Sequence, residues 1–264
     1  MLSKFASYQL LIALGAYSIS LVEISNPGPA QIVLSLLVFF CTLFIYLLHY
    51  HQKDQHRTQK RNFSPYIFLL VLSLPLIIYL LTSGQIKQII ILSLLFPMAF
   101  LYVFDFFNFG KLNRVPYLKL FILSLCWTVV SLIQVPEKII LDIPYFTTRF
   151  LFFFALVIPF DIRDQEKDKS NHVKTLSIAL GTNNMLCIQL ATITIALFLS
   201  FYYLNKIDLL LYSFSFVWIG VISRIKKLPT LIKYSILLDG TLLIYSFLKI
   251  INWNYWIESF WSNH

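Results

Sequence analysis

Long apolar runs recur along the whole chain and are separated by short polar stretches that hold most of its charge. Most approach or exceed the roughly 18 residues that a helix needs to cross a bilayer. The pattern predicts about nine transmembrane helices, over 5–24, 30–48, 65–82, 88–107, 117–134, 143–160, 185–204, 208–223 and 234–252. The eighth is the weakest, because Lys206 and Asp208 leave only a short turn before it. Without it the count is eight and the C-terminus changes side. No connecting stretch is long enough to fold by itself, so residues 1–264 read as a single domain, an all-α, polytopic membrane helical bundle.

Composition rules out the soluble alternative. Apolar residues make up 58% of the chain and charged residues 12%, against about 45–50% and about 25% in a soluble domain. That leaves too little charge to cover a water-facing surface. The placement of the charge also gives an orientation. Fifteen Lys and Arg fall on one side of the membrane, whereas the other side holds only Lys87, Lys138 and Lys206. Short cytoplasmic loops are enriched in basic residues. The chain therefore reads as an integral, multi-pass protein with its N-terminus in the cytoplasm and its C-terminus outside, in the inner membrane if the cell is bacterial. The net charge of +9 follows from this topology and calls for no nucleic-acid partner, since the basic residues alternate with membrane spans.

The first helix reads as a retained signal anchor, with no small-residue cleavage site behind it. Cys41, Cys126 and Cys187 fall inside spans and read as small apolar fillers. Trp253, Tyr255, Trp256 and Trp261 suit an aromatic belt at the outer interface.

Candidate chemistry concentrates in one place. The segment after the sixth span, Asp161-Ile-Arg163-Asp164-Gln-Glu166-Lys167-Asp168, holds four of the twelve acidic residues. If the helix runs on through it, Asp161, Asp164 and Asp168 share an arc of about 60°, at about 100° per residue, while Glu166 points elsewhere. Three carboxylates on one face, near the negative end of a helix, repel one another unless a cation sits among them. Mg2+ is typically held by one or two carboxylates and completed by water and substrate phosphate. Arg163, Lys167, Lys169 and Lys174 stand ready to take phosphate oxygens. The competing reading is a solvated cytoplasmic turn whose charges pair with each other for little gain.

The same residues, followed by Val173-Lys174-Thr175-Leu176-Ser-Ile-Ala-Leu-Gly181, resemble the second aspartate-rich motif of the UbiA superfamily of intramembrane prenyltransferases, DxxDxxxD followed by a TLP-like stretch and a glycine. Chain length, helix count and orientation agree with that family, although about twenty residues carry the motif itself. The resemblance implies two aspartate-rich segments facing each other across a cavity and holding a prenyl diphosphate through Mg2+. Ionisation would leave an allylic cation, attacked by a lipophilic and commonly aromatic acceptor. Metal ligands would then be Asp161, Asp164, Asp168 and Asp54. Arg163, Lys167, Lys174, Lys53 and Arg57 would hold the diphosphate, and the Phe and Tyr side chains would line the chamber.

The first motif departs from the family pattern. Where NDxxDxxxD is expected after the second span, the chain reads Tyr50-His51-Gln52-Lys53-Asp54-Gln55-His56-Arg57-Thr58. Asp54 matches the middle aspartate, while Tyr50 and Thr58 stand where Asn and the last Asp belong. His49, His51 and His56 are either metal ligands or interfacial side chains. Two outcomes follow: one metal cluster assisted by Lys53, Arg57, Lys60 and Arg61, or an isoprenoid or quinone binding or transport protein that no longer ionises its donor.

Four other polar positions carry expectations. Asp105 and Asn108, at the inner end of the fourth span, either close one wall of the diphosphate site or snorkel to the interface. Arg149 lies deep enough in the sixth span to need a partner, with Asp142 and Glu137 nearby in sequence. Asp239 either pairs with Lys233 or faces the cavity. Donor chain length and acceptor depend on which side chains point inward, which spacing does not give. With 7 Gly and 10 Pro the helices read as largely continuous.

Overall fold

The computed structural model describes residues 2–21, 24, 27–53, 64–103, 118–135, 142–170, 175–203, 206–224 and 239–250. All regular structure in them is helical. In chain order the helices are α1 (Leu2–Leu21), α2 (Pro29–Lys53), α3 (Ser64–Thr82), α4 (Ile86–Val103), α5 (Leu118–Leu132), α6 (Ile143–Ser170), α7 (Leu176–Tyr203), α8 (Lys206–Arg224) and α9 (Asp239–Ile250). Nine helices among the described residues match the nine apolar runs, including the eighth. By length and composition, the segments Pro29–Leu48, Ile143–Glu166 and Leu176–Tyr203 suffice to cross a membrane, and shorter apolar stretches occupy α1, α3, α4, α5 and α8.

Each helix packs on the next, and α9 returns to α1, so the bundle closes on itself. The core sits along α6, where Phe152 and Phe153 are fully buried against Tyr212 and Phe216 of α8, Tyr245 of α9 and Ile19 of α1. A second cluster joins Ala16, Leu34, Leu37, Leu80 and Ile133. The opposite pattern holds on α3, where Ile67, Phe68, Leu70, Val71, Leu74 and Ile78 are all more than half exposed. A stripe of that size is unstable against water and natural against lipid.

Many polar groups inside the bundle are paired locally, as a bilayer favours. On α5, Ser124, Thr128 and Ser131 donate back to the carbonyls of Leu120, Ser124 and Thr128 at 2.7 Å each. At the α1–α2–α5 contact the Gln134 amide donates to the Gln31 carbonyl and the Ser35 hydroxyl, and Ser20 and Ser35 hydroxyls lie 2.8 Å apart. The α3–α4 turn closes through Gln85 N–H to Leu80 O and Gly84 N–H to Leu81 O, with Gly84 at φ 80°. That pair of bonds defines a Schellman cap, which needs a left-handed residue.

The largest departures from the expected boundaries are at two helices. Helix α6 runs ten residues past the apolar span, so the aspartate-rich segment is helical as far as Ser170. Helix α7 begins at Leu176 rather than at 185, because the polar turn around Thr182 to Asn184 is helical although hydropathy alone does not mark it. It is also broken rather than continuous. Gly181 has φ 78° and ψ 163°, a region essentially reserved for glycine. A Cβ there would meet nothing within 4 Å, so backbone conformation and not space demands the glycine.

Candidate functional site

The aspartate-rich end of α6 lies against the first turns of α7, and polar side chains join the two helices at three levels. The lowest repairs a proline. Pro159 sits inside α6 and has no N–H to give the Ala155 carbonyl one turn back. The side-chain amide of Gln189, fully buried on α7, donates to that carbonyl at 3.0 Å instead. Gln189→Leu is expected to cost about 1–3 kcal/mol, the usual penalty for orphaning a buried acceptor. The thermal midpoint of the purified chain in detergent measures it, and an unchanged midpoint would contradict the repair.

Two residues beyond Pro159, Asp161 is 1% exposed. Its Oδ2 accepts the backbone N–H of Ser177 at 3.0 Å, and its main-chain carbonyl accepts the Ser177 hydroxyl, also at 3.0 Å. Ser177 is the second residue of α7, and first-turn N–H groups have no carbonyl within their own helix. The carboxylate thus caps a neighbouring helix at its positive end. Since the Ser177 hydroxyl proton goes to Asp161, the Thr175 hydroxyl, 3.0 Å away and also buried, donates to Ser177.

One turn further, Gln165 holds the break in α7. Its amide nitrogen donates to the Ser177 carbonyl at 2.9 Å, and its amide oxygen accepts the Thr182 hydroxyl at 3.0 Å. On the far side of the break Asn184 donates to the Leu180 carbonyl at 2.8 Å. Side-chain amides thus take up the Ser177 and Leu180 carbonyls next to the Gly181 break.

Asp164 and Arg163, though adjacent in sequence, form a two-point pair, Nε to Oδ1 at 2.9 Å and Nη2 to Oδ2 at 3.0 Å, each side chain a little over a quarter exposed. The guanidinium also stands 5.3 Å from the centre of the Phe160 ring. Asp168 is half-buried and Glu166 exposed, which is the division of faces that helical spacing predicts. Among the described residues no group of three or more His, Cys, Asp or Glu side chains is gathered to hold an ion. An Mg2+ ion completed by water and phosphate needs only one or two carboxylates and no cage of protein ligands.

Other residues singled out in the sequence are placed only in part. Lys53 ends α2 and Lys167 lies within α6, with only their backbones described. Asp54, Arg57, Asp105, Asn108 and Lys174 lie outside the described residues, as do Glu137, Lys233 and the C-terminal tryptophans. Cys41, Cys126 and Cys187 are free thiols.

Arg149 finds partners that the sequence did not suggest. It is fully buried, and donates to the hydroxyls of Tyr245 at 2.9 Å and Tyr145 at 3.2 Å. The rings of Tyr145, Tyr212 and Tyr245 surround its guanidinium with centroids at 5.5, 5.4 and 5.3 Å. Asp142 is instead the cap of α6, accepting the Tyr145 N–H at 3.0 Å.

No family model matches the sequence, and no curated protein matches it. Two solved structures share its fold. One is a UbiA homologue from Archaeoglobus fulgidus bound to Cd2+, with a TM-score of 0.64, and the other a UbiA homologue from the same organism bound to GPP and Mg2+, with a TM-score of 0.62. In each case the identity is 14%, over 93% of this chain and 96% of the other.

Proposed function

We propose that this chain, which has the UbiA fold, also belongs to the UbiA superfamily by function. On this reading it is a single-domain, Mg2+-dependent transferase that moves a prenyl group from a prenyl diphosphate to a lipophilic, aromatic acceptor within the membrane. Its N-terminus lies in the cytoplasm and its C-terminus outside.

The observation that carries the proposal is the burial of Asp161 at the α6–α7 junction. A solvated turn has no reason to bury a carboxylate and dedicate a helix N-terminus to it. The motif position of Asp161, on a fold shared with a homologue bound to GPP and Mg2+, favours a diphosphate site. In this assignment Asp161, Asp164, Asp168 and Asp54 face the metal. Arg163, Lys167, Lys174, Lys53 and Arg57 bind the diphosphate, and Asp105 and Asn108 close one wall. Mg2+, when bound, supplies positive charge against the departing diphosphate. The donor's carbon–oxygen bond breaks with its electron pair leaving on the diphosphate, the freed carbon bonds to the acceptor ring, and the ring carbon gives up a proton. Arg163 trades Asp164 for a phosphate oxygen, and the apolar bundle keeps water from the cation.

A second reading, binding or transport of an isoprenoid or quinone without chemistry, draws on two observations. Arg163 engages both oxygens of Asp164, and Tyr50 and Thr58 replace two polar positions of the first motif. Pyrophosphate release from farnesyl and longer donors by the purified chain at saturating Mg2+ separates the two. Release is the expected result. Donor binding without release over hours favours the second reading, and no donor binding removes both.

A further inference from the structure

We infer that Gln9 of α1 donates its side-chain amide to the diphosphate of the donor, at the end bonded to the prenyl group, an inference that rests on the proposed function. Gln9 is 5% exposed and lies on the buried face of α1 with Ile12, Ala13 and Ala16, while Leu10 and Leu14 on the other side of the helix are exposed. Two more glutamines among the described residues are buried, Gln134 and Gln189, and each donates its amide to a main-chain carbonyl. No hydrogen bond joins the Gln9 side chain to another described residue. A buried amide of that kind is costly inside a bilayer, and calls for a ligand or water to complete it.

Two sets of contacts give its depth. Ile19 of α1 and Phe152 of α6 share one buried cluster. Ten residues from each toward the Asp161 end of the bundle, about 15 Å at the helical rise, stand Gln9 and Ile162. By the other route, Ser35 bonds both Ser20 of α1 and Gln134 of α5. Eleven residues from these toward the same end stand Gln9 and Leu123, and Leu123 packs with Val157 and Ile158 of α6. Gln9 therefore lies between the levels of Val157 and Ile162, a stretch that contains Asp161. Helix α1 packs mainly on α2, α9 and α5, and α6 on α7, α5 and α8, so Gln9 and Asp161 sit across the interior of the bundle from each other. The Cα–Cβ bond of Gln9 tilts toward the start of α1, which is the Asp161 end. A diphosphate held at Asp161 and Asp164 presents its prenyl-bonded end at this depth. Gln9 also brings a carboxamide toward a place that lacks one. The Ser20–Ser35 contact puts Gln9 level with Tyr46 of α2, one turn from Tyr50, which stands where the first motif expects Asn.

The test uses the full chain in detergent, with inorganic pyrophosphate at saturating Mg2+ as probe, read by titration calorimetry. The KM for farnesyl diphosphate and the thermal midpoint are measured beside it. Gln9→Met keeps the volume and removes both polar atoms. It is expected to weaken pyrophosphate binding by about 10–100-fold, as the loss of a hydrogen bond to a charged group does. KM should rise by a similar factor with kcat changed less, and the midpoint should not fall, because the folded chain loses no bond. Gln9→Asn keeps the amide on a shorter stem and should fall between this variant and the unmodified protein. It carries the test alone if the methionine variant does not fold. Asp161→Ala is the reference. If it abolishes pyrophosphate binding while the folded Gln9 variants stay within about threefold of the unmodified protein, the inference is overturned and the functional proposal stands. If Asp161→Ala binds pyrophosphate as the unmodified protein does, or the unmodified protein binds none, the functional proposal falls and takes the inference with it.

Discussion

Asp161→Asn is expected to lower Mg2+-dependent pyrophosphate release by about 10³-fold or more, on the order of 4 kcal/mol of transition-state stabilisation. The amide keeps an oxygen that can accept the Ser177 N–H, so the α6–α7 clamp survives while the charge disappears. Asp161→Ala removes both, and should add a loss of thermal stability to a similar loss of turnover. A helix cap is typically worth about 1 kcal/mol. Comparing the two variants separates the electrostatic part of the role from the structural part. An asparagine variant with full turnover would show that the carboxylate is only a cap, and would leave the segment a structural joint between α6 and α7.

Much of the architecture was legible in the chain because membrane helices announce themselves through uninterrupted apolar length. Even the brief eighth run, crowded by Lys206 and Asp208, is a helix of 19 residues. The division of faces in the aspartate-rich segment was also legible, since helical spacing alone puts Glu166 on a different side from Asp161, Asp164 and Asp168. The start of α7 was not. Thr182, Asn183 and Asn184 carry no apolar signal, and the turn is helical because Gln165, seventeen positions away, and Asn184 hold carbonyls and hydroxyls at the break. The partners of Arg149 were equally hidden, because Tyr245 lies 96 positions away and sequence proximity pointed to Asp142. In the same way, nothing in the spacing of Pro159 names Gln189 as its compensation, and only the packing of α6 on α7 does. A proline inside an apolar run and a lone buried glutamine in the next are nonetheless a pair worth seeking in other chains, since each is costly without the other.

The largest stability effect is expected at Arg149. A guanidinium with no exposed surface carries a desolvation cost of several kcal/mol, so its neighbours must return at least that much. Hydrogen bonds to a charged donor contribute about 1.5–3 kcal/mol each, and Arg149 makes two to tyrosine hydroxyls. Three ring faces at cation–π distance add about 0.5–2 kcal/mol apiece in a desolvated setting. Arg149→Ala loses all of these and also leaves a void where α6, α8 and α9 meet, and removal of a large buried side chain costs about 2–5 kcal/mol. Relief of desolvation offsets part of the sum, leaving a net loss of about 3–5 kcal/mol and a fall in thermal midpoint on the order of 10 °C. Arg149→Met fills the void without the charge and should recover part of the loss. Because Arg149 stands twelve residues before Asp161, about 18 Å along α6, pyrophosphate release per folded molecule should be unaffected below the melting range. A melting temperature unchanged in the alanine variant would mean that the tyrosine cage contributes nothing net. A loss of turnover in a fully folded sample would instead give the cage a part in substrate binding.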